Sequence, residues 1–351
     1  MPRSSRSARV VHVATRLILP ARLGSVFTVH SAEREGASRG RLDRHPEVRA
    51  PFPGVRIRAH PPPPDEPPWE TRRRTVLQLA AAYRHVMPKT AFFSHATAAE
   101  IFGAPLPLPR SVLRYDLWRA DADMCGLIEA STLVPHRSPR ADAVTAHQLS
   151  PRLCMVIEHN GWRVSDPAST WAMLADRLSV TQLVVLGDGL VRRDRIPGTP
   201  IEAAPAAVAT VGELGAAIRS GPRKGVDKLR RALPLIRQGS SSELETLQRL
   251  AMRAEGLPEP QLDYDVRDEF GRLLGCTEIV YAQYKIAIEC EGDHHRTSRA
   301  QWTRDIQKYQ DYMETGWLVV RATGHEIRYA QPEPTRRVRA ALLRRGWRPG
   351  P

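Results

Sequence analysis

The sequence predicts a multidomain protein of mixed α/β class, with helices and short strands interleaved along the chain. Three observations predict it. The 351 residues suffice for two or three hydrophobic cores. Runs of strand length such as VRIR, CTEIVY and YKIAIECEG alternate with runs of helical period such as TRRRTVLQLAAAYRHV. Two breaks divide the chain. HPPPPDEPPW (His60 to Trp69) holds neither a helix nor a central strand and reads as a semi-rigid polyproline linker, and RQGSSSE (Arg237 to Glu243) is a second boundary.

The expected organisation follows from those breaks. Residues 25–59 form a winged-helix-like unit, 60–70 the linker, 71–238 a middle domain, 239–330 a C-terminal domain, and 331–351 a basic terminal helix. Residues 1–24 carry Arg3, Arg6, Arg9, Arg16 and Arg22 without a convincing apolar centre or cleavage site, and are expected to be a disordered or wrongly assigned start. In the first unit a short helix from about Val29 to Glu35, a turn at Gly36 and a second helix opened by Ser38 fit a helix-turn-helix. The VRIR after Pro53 and Gly54 fits a wing strand. The second helix presents Arg39, Arg41 and Arg44, residue types suited to phosphate or guanine contact, although any short basic hairpin looks similar.

In the middle domain, TRRRTVLQLAAAYRHV is an expected helix, SHATAAEIFG a short one ended by Gly103, and SDPASTWAMLADRL one with Asp166 as N-cap and Pro167 at its first position. SVTQLVVLGDGLVRR is helical or extended by periodicity alone. His95, His136 and His147 read as isolated structural or surface residues, so no catalytic constellation is expected here. The C-terminal domain opens with a helix after Ser242, with Glu245 three positions on. QLDYDV, CTEIVY and YKIAIECEG follow as strands, then an amphipathic helix (Trp302, Ile306, Tyr309, Met313), the strand WLVVRAT and the basic helix TRRVRAALLRRGW.

Composition bounds the function. No apolar stretch reaches the 18 residues of a membrane span. The four cysteines show no CxxC spacing, which suits a reduced, cytoplasmic setting. The net charge of +14 invites a nucleic-acid partner, although it comes almost wholly from Arg, with five Lys, as a GC-rich coding sequence alone produces. Its distribution says more: residues 239–330 hold 11 basic and 16 acidic side chains inside an otherwise basic chain. Carboxylates placed to hold metal, amid basic surroundings that hold phosphate, produce that pattern.

The acids converge on one pattern. Glu289 and Glu291 share a face of one strand by its period of two, Glu278 lies in the strand before, and Glu245 starts the preceding helix. Carboxylates on adjacent strands hold Mg²⁺ while leaving positions for water and a phosphate. Each residue also has a plainer reading: Glu245 as part of a capping box, Glu289 and Glu291 as a solvated strand end, and Asp305 with Lys308 as a helix salt bridge. Asp293, His294 and His295 have no second ligand pair at zinc spacing.

The combination of a helix glutamate, GCTEIVY, IECEGDHH, a helix with Asp305 and Lys308, and GWLVVR resembles the very-short-patch-repair-like family of the PD-(D/E)xK restriction-endonuclease-like superfamily, over roughly residues 239–328. The resemblance implies a four-stranded mixed sheet with flanking helices and cleavage of DNA with Mg²⁺ or Mn²⁺. Glu245 matches the helix glutamate, and Glu278 and Glu289 the metal carboxylates. Glu291, which stands where the superfamily signature has Lys and this family commonly Asp, is expected to assist them as a third metal carboxylate. Two departures matter. Glu278 replaces the usual Asp, and Glu291 cannot act as the lysine, so His294 or His295 is expected near the scissile phosphate, with Lys285 and Lys308 as further candidates and Arg296 and Lys308 as DNA contacts. SHATAAEIFGAPLP, STLVPHRS and GWRVSDPASTWAMLAD resemble the AbiEi-type antitoxin region, which implies DNA binding. The expected function is a metal-dependent endonuclease of DNA repair or phage defence. The rival is a DNA-binding regulator or antitoxin whose nuclease-like domain no longer cuts, with a toxin as its protein partner.

Overall fold

A computed structural model describes residues 19–107, 124–203, 207–292, 299–330 and 332–350, with only the backbone of 299–304. It has the mixed α/β architecture expected, built on three sheets. The N-terminal unit runs β1 (Val26–Thr28), α1 (Val29–Arg34), α2 (Arg39–Asp43), β2 (Val48–Phe52) and β3 (Val55–Arg58), with sheet order β1-β3-β2. Thr28 caps α1 by accepting the Ser31 N–H while Ser31 returns the contact, so the helix starts where the chain leaves the strand. Ala32 and Leu42 bury one side of both helices, and Arg56 on β3 pairs with Asp43 at 2.7 Å, holding α2 to the sheet.

α3 (Pro68–Tyr83) takes Pro68 as its first residue, inside the span read as linker. Its buried face (Val76, Leu79, Tyr83) packs in one core with Phe52, Val55 and Ile57 on one side and Phe93, Ile128 and Val164 on the other. One core therefore takes residues from both sides of the proline-rich stretch.

The middle domain contains β4 (Ala91–Phe93), α4 (His95–Phe102), β5 (Ile128–Leu133), β6 (Val144–Leu149), β7 (Val156–His159), β8 (Trp162–Ser165), α5 (Pro167–Met173), α6 (Val180–Val191), α7 (Val211–Arg219) and α8 (Val226–Ala232). Its sheet order is β6-β5-β4-β8-β7, with β5 parallel to β6 and β4 parallel to β8. Asp166 caps α5, and Gly103 ends α4 in the left-handed region, as the sequence predicts. The ambiguous SVTQLVVLGDGLVRR is helix α6: Ser179 and Gln182 form a capping box, which decides what periodicity leaves open.

The C-terminal domain comprises α9 (Glu243–Ala254), β9 (Gln261–Arg267), β10 (Leu273–Tyr281), β11 (Ile286–Glu291), α10 (Arg299–Glu314), β12 (Leu318–Thr323), α11 (Gly324–Tyr329) and α12 (Pro332–Arg344). Its four-stranded mixed sheet has the order β12-β11-β10-β9, with β11 parallel to β12 and antiparallel to β10. Central β11 is buried from Ile286 to Cys290. Ile286 and Ile288 face Leu244 and Met252 of α9 and Val338 and Leu342 of α12. Each such isoleucine contributes about 1.5–3 kcal/mol relative to exposure. The other face, with Val280 and Ala287, is covered by Tyr312 and Trp317. α11 has no counterpart in the predicted element order, because its six residues are too few to show a period.

The middle and C-terminal domains are tied by a buried ion pair. Asp188 of α6 meets Arg249 of α9 at 2.8 Å, each side chain 1% exposed. The Thr246 hydroxyl and the Arg237 N–H also donate to Asp188. Outside this pair, Arg195 grips Asp263 and Asp265 of β9, each at 2.8 Å. No helix among the described residues is long and apolar enough to cross a membrane.

Candidate active site

β10 and β11 pair through Ile279 and Ile288, and then the ladder opens. The Glu278 carboxylate accepts the Cys290 N–H at 2.7 Å, so a side chain serves a backbone donor just beyond the paired residues. In the opening, Glu289 Oε1 accepts from the Thr277 hydroxyl and, at 2.8 Å, from the Lys308 ammonium of α10. Glu289 Oε2 has no donor among the described residues. Gly275 lets α10 approach this closely, since a Cβ there would stand 3.1 Å from Lys308 Cγ and 3.0 Å from Tyr312 Oη. That phenol is buried without a hydrogen-bond partner among the described residues.

Glu245 completes the group from α9. It is buried, its N–H donates to Ser242 Oγ at 3.2 Å, and its carboxylate accepts the Ser241 N–H at 2.7 Å. The expected capping box is thus half formed, with the carboxylate reaching one residue beyond the N-cap. Burial raises the Glu245 pKa against these hydrogen bonds. Enclosure by protein, then Glu245 and then Glu289, push Glu278 up to about 8. Lys308 pairs with Glu289 and acts on Glu278 at longer range, while the cation that acts on Glu245 is Arg192. The surplus negative charge leaves the cluster to hold a proton or a cation, and a set of carboxylate oxygens suits hard Mg²⁺ or Mn²⁺.

The structure brings Glu245, Glu278, Glu289 and Lys308 together, and it separates Glu291. That side chain is ion-paired with Arg321 on β12, whose guanidinium also lies 5.3 Å from the Tyr309 ring centre. Alternation along β11 puts Glu291 on the face of Glu289, but the parallel neighbour supplies its counter-charge, which a single strand does not reveal. Lys308, expected among the DNA contacts, is paired with Glu289 within the site. Lys285 sits at the far end of β11 with a left-handed backbone and donates to the Thr315 carbonyl, so it takes no part. His294, His295 and Arg296 lie outside the described residues. Arg39 and Arg44 are exposed on and just after α2, with Arg39 3.9 Å from Asp43, while Arg41 is half-buried.

The expectation that His95 and His147 stand alone is corrected. With Glu129 they form the group of potential metal ligands found among the described residues, their ligand atoms within 4.8 Å of one another. His136 remains exposed on the loop after β5. Burial pushes His95 down to about 4. Glu129 lies at about 2, because burial, which alone raises it, is outweighed by His147, His95, Arg177 and the Ala96 N–H. One sequence signal was available: Glu129 is an acid inside the apolar run LIEASTLV, the same signal that singles out Glu278.

No protein-family model matches the chain, and no solved structure matches it. It is similar to two proteins of Mycobacterium tuberculosis, Uncharacterized protein MT2308 of strain CDC 1551 / Oshkosh and Uncharacterized protein Rv2248 of strain ATCC 25618 / H37Rv. Each is 26% identical over 106 residues, which is 30% of this chain and 39% of the relative. The match therefore spans about two fifths of the length of those relatives.

Proposed function

We propose that this protein is a cytoplasmic, Mg²⁺-dependent endonuclease that hydrolyses phosphodiester bonds in DNA. One observation carries the reading: Glu278 and Glu289 of adjacent strands, Glu245 of α9 and Lys308 of α10 converge where the β10–β11 ladder opens. The resemblance to very-short-patch-repair-like endonucleases fits the same residues. Glu278 and Glu289 would hold the cation, with Glu245 behind them. A divalent cation at such a site lowers the pKa of water and offsets charge on a departing oxygen. Thr277 and Lys308 fix the Glu289 carboxylate, and the Lys308 ammonium is the positive charge nearest to where a phosphate would sit. Arg39, Arg41 and Arg44 would bind the DNA backbone. The test is plasmid nicking by purified protein with Mg²⁺ or Mn²⁺. Relaxed or linear product that EDTA and Glu289→Gln both abolish supports the reading, and DNA binding without cutting in any metal sinks it.

The rival keeps one favouring observation. Glu291, Glu289 and Glu278 already have protein partners in Arg321, Lys308 and the Cys290 N–H. On that reading the C-terminal domain is a retired nuclease fold in a DNA-binding regulator or antitoxin. Sequence-specific binding lost in Arg39→Ala/Arg44→Ala, with no nicking by wild type, would favour it.

A further inference from the structure

We infer that His95, Glu129 and His147 of the middle domain form a binding site for a zinc-class divalent cation, separate from the carboxylate cluster of the C-terminal domain. The three side chains come from different elements. His95 opens α4, Glu129 sits on β5 and His147 on the parallel neighbour β6. The register of these strands places Ser131 opposite His147, so Glu129 lies two residues along the same face. His147 Nε2 is 3.0 Å from Glu129 Oε1, and the His95 and His147 rings stand 4.0 Å apart between centres. Two ligand atoms each about 2.0–2.1 Å from a tetrahedral zinc lie roughly 3.3 Å from one another, so the His147–Glu129 spacing already suits a shared ion. All the ligand atoms of the group lie within 4.8 Å of one another.

The surroundings are those of a built site. His95 Nδ1 bonds Ser94 Oγ at 3.0 Å, and Ser94 in turn accepts from Ser131 at 2.6 Å. With the proton on Nδ1, that chain holds the imidazole with its Nε2 lone pair free for a metal. The second Glu129 oxygen is fixed by the Ala96 N–H at 2.9 Å. His95 has φ +50°, a left-handed conformation for a residue that is neither Gly nor Asn, and such backbone is kept where surrounding structure imposes it. His95 also lines a cavity of about 140 Å³, together with Leu153, Met173, Asp176, Arg223 and Lys224. Two imidazoles and one carboxylate with a cavity alongside match zinc sites that keep one position open.

Arg177 is the competing explanation. Its guanidinium meets the Glu129 oxygen that faces His147, at 2.6 Å, so the group is already neutral as a network of protein charges. The Arg177 side chain is 43% exposed, however, and water receives it when an ion arrives.

The test is equilibrium dialysis of the EDTA-stripped full chain against Zn²⁺ alone, with visible absorption of bound Co²⁺ as a second readout. The expected result is one Zn²⁺ per chain for wild type and for Glu289→Gln, with binding at least about 100-fold weaker for His147→Ala. His147 lies on the edge strand β6, and far-UV circular dichroism checks that the variant folds. Wild-type Co²⁺ absorption should have the intense bands of four-coordination, which keeps the test open should the variant not fold. No zinc on wild type, undiminished binding by folded His147→Ala, loss in Glu289→Gln instead, or a weak six-coordinate Co²⁺ spectrum would each overturn the proposal.

Discussion

The two clusters of titratable side chains meet burial in opposite ways. In the C-terminal domain Glu278 is enclosed beside Glu245 and Glu289, with Lys308 paired to Glu289, and burial with these neighbouring acids drives Glu278 toward protonation. In the middle domain one carboxylate is surrounded by two imidazoles and a guanidinium, and it is held ionised. The first arrangement can take up a proton or a cation, and its donors are hard oxygens. The second does not need one, yet presents nitrogen donors that a softer ion prefers. Sign of the surplus and type of donor atom, rather than the number of acids, separate the two sites.

The strongest way to break this comparison is to exchange the effects of single substitutions. Glu289→Gln is expected to lower plasmid nicking on the order of 10²–10³-fold or more, measured as initial rate in Mg²⁺, with zinc binding untouched. His147→Ala should leave the nicking rate within about twofold of wild type, and a large loss there would mean that the sites are one system. Next in size is the counter-charge. Lys308→Met leaves the carboxylates without their cation and should destabilise the metal-free protein by about 1–3 kcal/mol, with Mg²⁺ restoring more stability than it adds to wild type in thermal melts. Arg177→Met should do the reverse for the other cluster: removing the competitor frees Glu129, and zinc binding should tighten on the order of tenfold in dialysis.

Two smaller effects sharpen the picture. Gly275→Ala presses a methyl against Lys308 and Tyr312, and should reduce nicking by about 3–10-fold with little change in melting temperature. Asp265 is a control outside both clusters. Burial raises its pKa, but the Arg195 guanidinium and the Gly198 N–H outweigh that and depress it below 3.8. Its contribution is therefore present above that value and disappears as pH falls through the folded-state pKa. Asp265→Asn should be less stable than wild type at pH 7 and converge with it in acid unfolding curves.

Much of the architecture was legible because local rules agreed with global packing. Asp166, Gly103 and Ser242 mark helix ends in sequence and do so in the fold. Glu278 and Glu289 announce themselves as acids in apolar strands. Their partners did not. Lys308, one of the five lysines of the whole chain, lies on an ordinary amphipathic helix, and only the packing of α10 across Gly275 brings it to Glu289. Arg321 answers Glu291 through a parallel pairing, which no local pattern encodes. His95, Glu129 and His147 are 34 and 18 residues apart in succession, and sheet order alone assembles them.

The Asp188–Arg249 pair bears on how the protein is handled. It straddles the serine-rich stretch that separates the domains in sequence, so the compositional boundary there is not an energetic one. A fragment beginning at residue 239 would lose Asp188 and the α6 face that covers Arg249, and would expose to water a surface of α9 that is buried in the full chain. Such a fragment is expected to be less stable than the full chain, and its silence in a nicking assay would not speak for the C-terminal domain in its intact setting.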